Sequence, residues 1–131
     1  MQINTENLEL KIADSDAEVA AAQRLRYRVF VEEMGAETSA ENHKSGRECD
    51  AFDPLFDHLI LKDTTCSDMD NVVGVYRLLR GETAQQGNGF YSASEFDLSK
   101  LLTSERRVLE LGRSCIDPQH RGGIALHMMW N

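Results

Sequence analysis

Cysteine is scarce in this 131-residue chain, and its spacing excludes two common uses. The three residues are odd in number and widely separated, at Cys49, Cys66 and Cys115. They form neither a disulfide framework nor a Cys-x-x-Cys motif for a metal or for redox chemistry. Free thiols are typical of a reducing compartment.

Long apolar runs and ligand-spaced histidines are also missing. No run approaches the roughly 20 residues of a membrane span, and the polar start of the chain lacks the basic and apolar parts of a secretory signal. We therefore expect a cytoplasmic protein. The four histidines show neither His-x-x-x-His nor Cys/His spacing, so no metal site is predicted.

Positive charge is in short supply, because 14 Lys and Arg residues face 22 Asp and Glu residues, giving a net charge of -8. This balance argues against a nucleic-acid partner, whose phosphates need a positive field. Residues 32–70 hold eleven acids against three bases, whereas residues 100–131 hold five bases against three acids. An acidic partner is therefore expected near the C-terminal end.

The remaining composition, 41% hydrophobic and 27% charged, is ordinary for one globular domain. Period-two runs and capping signals predict an α+β, or mixed α/β, fold with four strands in an unfinished sheet. Ser15-x-x-Glu18 is a capping box that opens a helix ending near Gly35. The other predicted elements are strands at Leu8 to Ile12, His58 to Lys62, Val72 to Leu79 and Arg107 to Ile116, a loop at 81–89, a short helix or irregular segment at 94–102, and a helix from Ala125.

Residues 36–54 are polar and acidic without periodicity, and they are interpreted as a long loop that is a candidate lid. Arg77 lies on an apolar strand face with Val73, Val75 and Leu79, where a guanidinium needs carboxylate partners. Glu48-x-Asp50-x-x-Asp53 could fold over the sheet and pair with Arg77 and with Arg26. A solvated loop beside a snorkelling arginine, or acids that bind a cationic substrate, are the alternatives.

The fourth strand carries two charges, Glu110 and Arg113, which strict alternation would place on opposite faces. A β-bulge at Gly112 would bring both to one side and turn backbone N–H groups outward to hold an oxyanion. Glu110 would then be a candidate base. A surface salt bridge in a regular strand is the alternative, and Cys115 is interpreted as a packing residue.

A basic, glycine-rich turn follows the charged strand, Gln119-His-Arg-Gly-Gly123, at the start of a predicted helix. Backbone amides and the macrodipole at such a position favour a phosphate. Most Gly-Gly turns only link a strand to a helix, so the position after the charged strand is what favours phosphate binding.

Taken together, four motifs in this order resemble the acyl-carrier-protein-dependent branch of the Gcn5-related N-acyltransferases. Within that branch the chain resembles the ornithine lipid N-acyltransferases more than the acyl-homoserine lactone synthases, and the absence of a tryptophan after Phe30 also weighs against the synthases. The segments with this closer likeness are Val29-Phe-Val-Glu-Glu-Met-Gly35, Phe52-Asp-Pro-Leu-Phe-Asp-His-Leu-Ile60, Phe90-Tyr-Ser-Ala-Ser-Glu-Phe-Asp97 and Leu111-Gly-Arg-Ser-Cys115. The motifs are Arg26-Tyr-Arg-Val-Phe30, Glu48-x-Asp50-x-x-Asp53, Val73-Gly-Val-Tyr-Arg-Leu78 and Glu110-Leu-Gly-Arg113.

The resemblance implies a mostly antiparallel sheet flanked by helices, and transfer of a 3-hydroxyacyl group from acyl carrier protein to the α-amine of ornithine, the first step of ornithine lipid synthesis. No cofactor is expected to be tightly bound, since acyl-phosphopantetheine, or acyl-CoA, would be the donor. The residues implied are Glu110, Gly112, Arg113, Ser114 and Cys115 for catalysis, Arg26, Glu48, Asp50, Asp53 and Arg77 for substrate, and Arg121, Gly122 and Gly123 for the donor phosphate.

Two departures from the family pattern bear on these expectations. Ile124 occupies the last small position of the usual pantetheine loop, and family members continue through further strands and helices. Residues 1–131 are therefore expected to form an acyltransferase domain that is incomplete at its C-terminus. A homodimer and peripheral contact with the inner membrane are further expectations. A homoserine lactone synthase and a non-catalytic acyl-carrier-binding module are the competing functions.

Overall fold

The computed structural model describes residues 7–65, 71–80, 109–121 and 124–130. In these residues four strands form one antiparallel sheet in the order β1-β2-β3-β4, which confirms the predicted α+β fold and the predicted hairpin of the second and third strands. The predicted segments at 81–89 and 94–102 lie outside the described residues. The strands are β1 (Leu8–Ile12), β2 (Asp57–Asp63), β3 (Val72–Arg80) and β4 (Leu109–Ile116).

The first helix begins where the capping box predicts. Helix α1 spans Asp16–Arg26, and the Ser15 hydroxyl accepts a hydrogen bond from the Glu18 N–H at 3.2 Å. The helical path then widens into a seven-residue π-helix, Tyr27–Glu33, before Gly35 adopts the left-handed region at φ 74°. The predicted end near Gly35 is confirmed. The π-helix was not predicted, and π-helical turns are frequent at functional sites.

The two faces of the sheet are buried by different helices. One face packs against α1, and its cluster includes Leu25, Ile60, Val75 and Cys115. The other packs against α3 (Ile124–Trp130), which confirms the predicted C-terminal helix and begins one residue before the predicted start. None of the helices in the described ranges is long and apolar enough to cross a membrane.

The predicted alignment of Val73 with Val75 on one face is wrong. Leu61 pairs with Gly74 while Lys62 pairs with Val72, so Val73 is an extra residue on β3. Alternation restarts at this irregularity, and Val73 consequently packs in the cluster beneath α3.

Residues 36–54 do not form the predicted structureless loop. They contain a short helix, α2 (Ala40–Ser45), which the Ser39 hydroxyl caps by accepting from the Asn42 N–H at 3.1 Å and which ends at left-handed Gly46. A 3-10 turn at Asp53–Leu55 leads into β2. Sequence periodicity missed α2 because it is polar on all sides, so only its cap and its C-terminal glycine indicate a helix.

Candidate active site

A buried carboxylate joins α1 to β3. Nη2 of Arg26 donates to both carboxylate oxygens of Asp53 at 2.8 and 2.7 Å, and Nη1 of Arg77 donates to Asp53 at 3.0 Å and to Asp50 at 2.7 Å. Burial alone would raise the pKa of Asp53, but the two guanidinium groups hold it below its usual value. The predicted pairing of the acidic segment with both arginines is confirmed.

Further hydrogen bonds hold the Asp53 carboxylate in this position. Its carboxylate also accepts from the backbone N–H of Asp50 at 3.1 Å and from the amide of Gln23 at 3.3 Å. The Arg77 guanidinium lies 4.3 Å from the centroid of the Phe56 ring, a cation-π contact. Ion pairs, hydrogen bonds and packing therefore hold residues 48–53 against the sheet. This anchoring does not fit the predicted lid, which would have to move away from the sheet.

Contact with the cavity separates the five predicted substrate-binding residues into two groups. Arg26, Arg77 and Asp53 are buried, bind one another and are not part of the cavity wall. Glu48 is as buried as Asp53, but it lines the cavity together with Asp50. The first group positions the second.

Glu48 connects this network to the fourth strand. Its carboxylate lies 3.0 Å from Nε of Arg26 and 3.5 Å from Nη2 of Arg113. The guanidinium of Arg113 also lies 5.6 Å from the centroid of the Phe30 ring on the π-helix. The predicted charged residues of α1, the acidic segment and β4 therefore meet on the α1 face of the sheet.

The predicted bulge in β4 exists, but it lies one residue after Gly112. Gly112 pairs with Arg77 and Cys115 pairs with Val75, so Arg113 and Ser114 together oppose one residue of β3. Arg113 has φ 53°, in the left-handed region that a non-glycine residue rarely adopts. This strained bulge turns the Arg113 side chain toward Glu48.

Glu110 lies opposite Leu79 in the strand register and is partly buried. Cross-strand partners project to the same side, so Glu110 shares the face of Leu79, Arg77 and the α1 helix. Arg113 reaches Glu48 on that same face. The prediction that a bulge brings both charges to one side is confirmed.

Two residues beside the bulge differ in exposure. Ser114 is exposed, whereas Cys115 is buried in the cluster beneath α1. Burial raises the pKa of the Cys115 thiol to about 12, so the thiolate is absent at neutral pH. The interpretation of Cys115 as a packing residue is confirmed, and any contribution to catalysis would come from its backbone.

Arg121 is not a free cation. Its guanidinium donates to both carboxylate oxygens of Glu33, at 2.6 and 2.5 Å, and to the carbonyl of Ile116 at 3.0 Å. No local pattern indicated this pair, because 88 residues separate its members. Gly122 and Gly123 lie outside the described residues.

A cavity of about 230 Å³ opens beside this network. Most of its wall was not predicted from the sequence, because α2 was not predicted and the wall combines stretches of chain that are far apart in the sequence. Within the described residues no group of three or more His, Cys, Asp or Glu is arranged to hold a metal. The wall is formed by Phe30 and Val31 of the π-helix, by residues 36–39, by Asn42 of α2, by residues 48–50 and by Arg113.

The fold is similar to that of one solved structure. The crystal structure of the AHL synthase LasI aligns with a TM-score of 0.58 at 20% identity, over 93% of this chain and 62% of that chain. Residues 25–131 match the family model described as an acetyltransferase (GNAT) domain. The match covers most of the chain, which therefore belongs to the GNAT acetyltransferase family, as its motifs predict.

Curated relatives show which members of the family this chain is similar to. Three proteins named L-ornithine N(alpha)-acyltransferase are 50%, 46% and 44% identical to this chain, from Rhodobacter capsulatus, Agrobacterium fabrum and Rhizobium meliloti respectively. Each alignment covers 94 or 95% of this chain and 43 to 48% of the relative. The chain thus spans about half the length of the curated relatives it matches.

Proposed function

We propose that this chain provides the acyltransferase domain of an enzyme that moves a 3-hydroxyacyl group from the thioester of acyl carrier protein to the α-amine of ornithine, the first step of ornithine lipid synthesis. The observation that carries the proposal is 50% identity over 125 residues to a protein named L-ornithine N(alpha)-acyltransferase. The meeting of Glu48, Arg113 and the bulged strand supports it, since the residues implied by the motif are assembled in one place.

The chemistry requires a base and a site for negative charge. The α-amine is protonated at neutral pH and must lose a proton before it attacks the thioester carbon. Glu110, directly or through a water, is the proposed base. Backbone N–H groups between Gly112 and Cys115 are proposed to stabilise the tetrahedral oxyanion. Attack forms the carbon–nitrogen bond, and collapse of the intermediate restores the carbonyl and breaks the carbon–sulfur bond. The released carrier thiolate takes up the proton that the nitrogen loses.

The donor is proposed to enter at the other side of β4. Arg121, Gly122 and Gly123 would meet the phosphate of acyl-phosphopantetheine, on acyl carrier protein or on CoA. Because Arg121 already makes a bidentate pair with Glu33, a phosphate would have to share or displace that carboxylate. No tightly bound cofactor is proposed. A homodimer and peripheral contact with the inner membrane stay predictions.

An assay with the full-length gene product tests the proposal. Purified protein is mixed with 3-hydroxyacyl carrier protein, and thiol release is followed with and without ornithine, with the product identified by mass spectrometry. Ornithine-dependent release together with an N-acylornithine product is the expected result. Release only with S-adenosylmethionine would instead identify a lactone synthase. Carrier binding that survives Glu110→Ala, with no turnover of any amine, would identify a binding module.

A further inference from the structure

The cavity beside Glu48 has a definite balance of charge. Its wall holds three carboxylates, from Glu37, Glu48 and Asp50, and one guanidinium, from Arg113. Glu48 is compensated by Arg26 at 3.0 Å, and Asp50 by Arg77 at 2.7 Å. Glu37 is exposed and makes no ion pair in the described part of the chain. Glu37 is therefore the wall carboxylate without an arginine partner in the described residues, and Arg113 is the guanidinium on the same wall.

Two further groups have unused hydrogen-bonding capacity. The Glu48 side chain is only 9% exposed, yet its Oε2 accepts no hydrogen bond, because the nearby Nε of Arg26 lies outside hydrogen-bond geometry. Oδ2 of Asp50 likewise accepts none, since its other oxygen serves Arg77. Both oxygens are buried, and their lack of hydrogen-bond donors leaves negative charge beside the cavity.

Arg113 supplies a positive charge and hydrogen-bond donors on the cavity wall. It is 36% exposed, and its contact to Glu48, at 3.5 Å, is long for a hydrogen bond. Its N–H fork therefore has donors to offer, and this geometry suits a carboxylate. A volume of about 230 Å³ lies below the roughly 300–1,000 Å³ of pockets for drug-sized ligands. The cavity suits a molecule the size of an amino acid.

We propose that this cavity is the acceptor pocket, in which Arg113 binds the α-carboxylate of a diamino acid while Glu37, with Asp50, binds its side-chain ammonium. Glu37 is then the residue that selects a diamino acid over a neutral one. The inference rests on the proposed function and adds the location and the selectivity of the acceptor. At neutral pH a diamino acid presents a carboxylate for Arg113 and a side-chain ammonium for Glu37, one opposite charge for each.

Steady-state kinetics on the full-length gene product test this role. Glu37→Gln should raise the KM for ornithine about tenfold, the loss of one charge-assisted contact, with kcat changed by less than about twofold. Glu37→Asp should recover part of that loss. Norvaline, which has the same carbon chain without the terminal ammonium, should lose much less efficiency in Glu37→Gln than ornithine does.

Glu32→Gln is the matched control, because Glu32 is exposed on the π-helix and is not part of the cavity wall. It removes the same charge from the neighbouring segment, so general electrostatic steering would affect both variants alike. An unchanged KM for ornithine in Glu37→Gln, or an equal rise in Glu32→Gln, would overturn the assignment.

Cys49 gives a readout that needs no turnover, since this residue forms part of the wall. Iodoacetamide labelling would be run at alkaline pH, because burial raises the pKa of this thiol, and the Cys49 peptide would be quantified by mass spectrometry. Ornithine should slow labelling in the natural protein, but norvaline should slow it much less. Equal protection by both would overturn the pocket.

The two experiments separate the pocket from the proposed activity. Protection of Cys49 by ornithine without turnover would contradict the acyl transfer and support the pocket. Turnover with ornithine, together with unprotected Cys49 and an unchanged KM in Glu37→Gln, would contradict the pocket and support the acyl transfer.

Discussion

Nη2 of Arg26 donates hydrogen bonds to both carboxylate oxygens of Asp53, at 2.8 and 2.7 Å, and neither residue is more than 6% exposed. This pair ties the end of α1 to the segment that precedes β2. The acidic wall of the cavity belongs to that same segment. A contact that no substrate reaches therefore determines where the cavity lies.

Asp53→Asn should lower the free energy of unfolding by about 3–5 kcal/mol, because it leaves two buried arginines without their shared partner. Urea denaturation measures the change. Asp57→Asn is the matched control, since Asp57 pairs with Arg80 at 3.5 Å in an exposed setting, with side chains 41% and 65% exposed. Its effect should stay within about 1 kcal/mol. Equal losses in the two variants would contradict the role given to burial.

His58 should make stability depend on pH. Burial, and then the nearby Arg26 and Arg77, lower its pKa below 6.5, although the carbonyl of Asp53 accepts from its ring at 3.1 Å. As the pH falls below 6.5, His58 takes up a proton in the unfolded state before it does so in the folded state. Protonation therefore favours the unfolded state, and the contribution of His58 to the free energy of unfolding is lost. It is fully present above pH 6.5.

Unfolding free energies measured between pH 7.5 and about pH 5 check this expectation. His58→Gln should flatten the dependence in that range. A natural protein whose stability is constant across the range would show that His58 is solvated in the folded state.

Gly74→Ala should destabilise the fold by about 1–3 kcal/mol through overpacking. A Cβ at this position would lie 2.6 Å from Sδ of Met129 and 3.3 Å from Cβ of Leu61, and both neighbours are buried. Gly112→Ala is the control on the adjacent strand, because nothing lies within 4 Å of its Cβ position. Thermal denaturation followed by circular dichroism compares them, and an intact Gly74→Ala would mean that Met129 moves aside freely.

Glu110→Gln should reduce kcat for acyl transfer by about 10²–10⁴-fold if the carboxylate is the general base. The acidic limb of the pH-rate profile should disappear with it, which a merely structural role would not cause. Urea denaturation of the same variant verifies the fold. A profile that keeps its acidic limb would remove Glu110 from the proton transfer.

Local signals predicted most of the secondary structure. Ser15 and Glu18 located the start of α1, and alternation or strand-like apolar runs located the four described strands, because caps and strands depend on residues close in sequence. Helix α2 was missed since it has no apolar face. The bulge was predicted one residue early, because pairing with β3 determines its position.

Some contacts of the candidate site were likewise predictable from the sequence, and others were not. The pairing of Arg26 and Arg77 with the acidic segment follows from composition, since a guanidinium on an apolar face requires a carboxylate. The pair of Arg121 with Glu33 joins residues 88 apart in sequence, and nothing local indicated it. Glu37 was likewise one acid among many until the fold placed it at a cavity.

The sequence by itself determined the family, the caps, the strand faces and the need for buried charges to find partners, because each of these depends on residue type and short spacing. Only the tertiary structure decided which carboxylates are neutralised by arginine and which one lines the cavity without an arginine partner in the described residues. That distinction depends on distances between separate segments and on exclusion of water, and both arise only when α1, the acidic segment and β4 pack together.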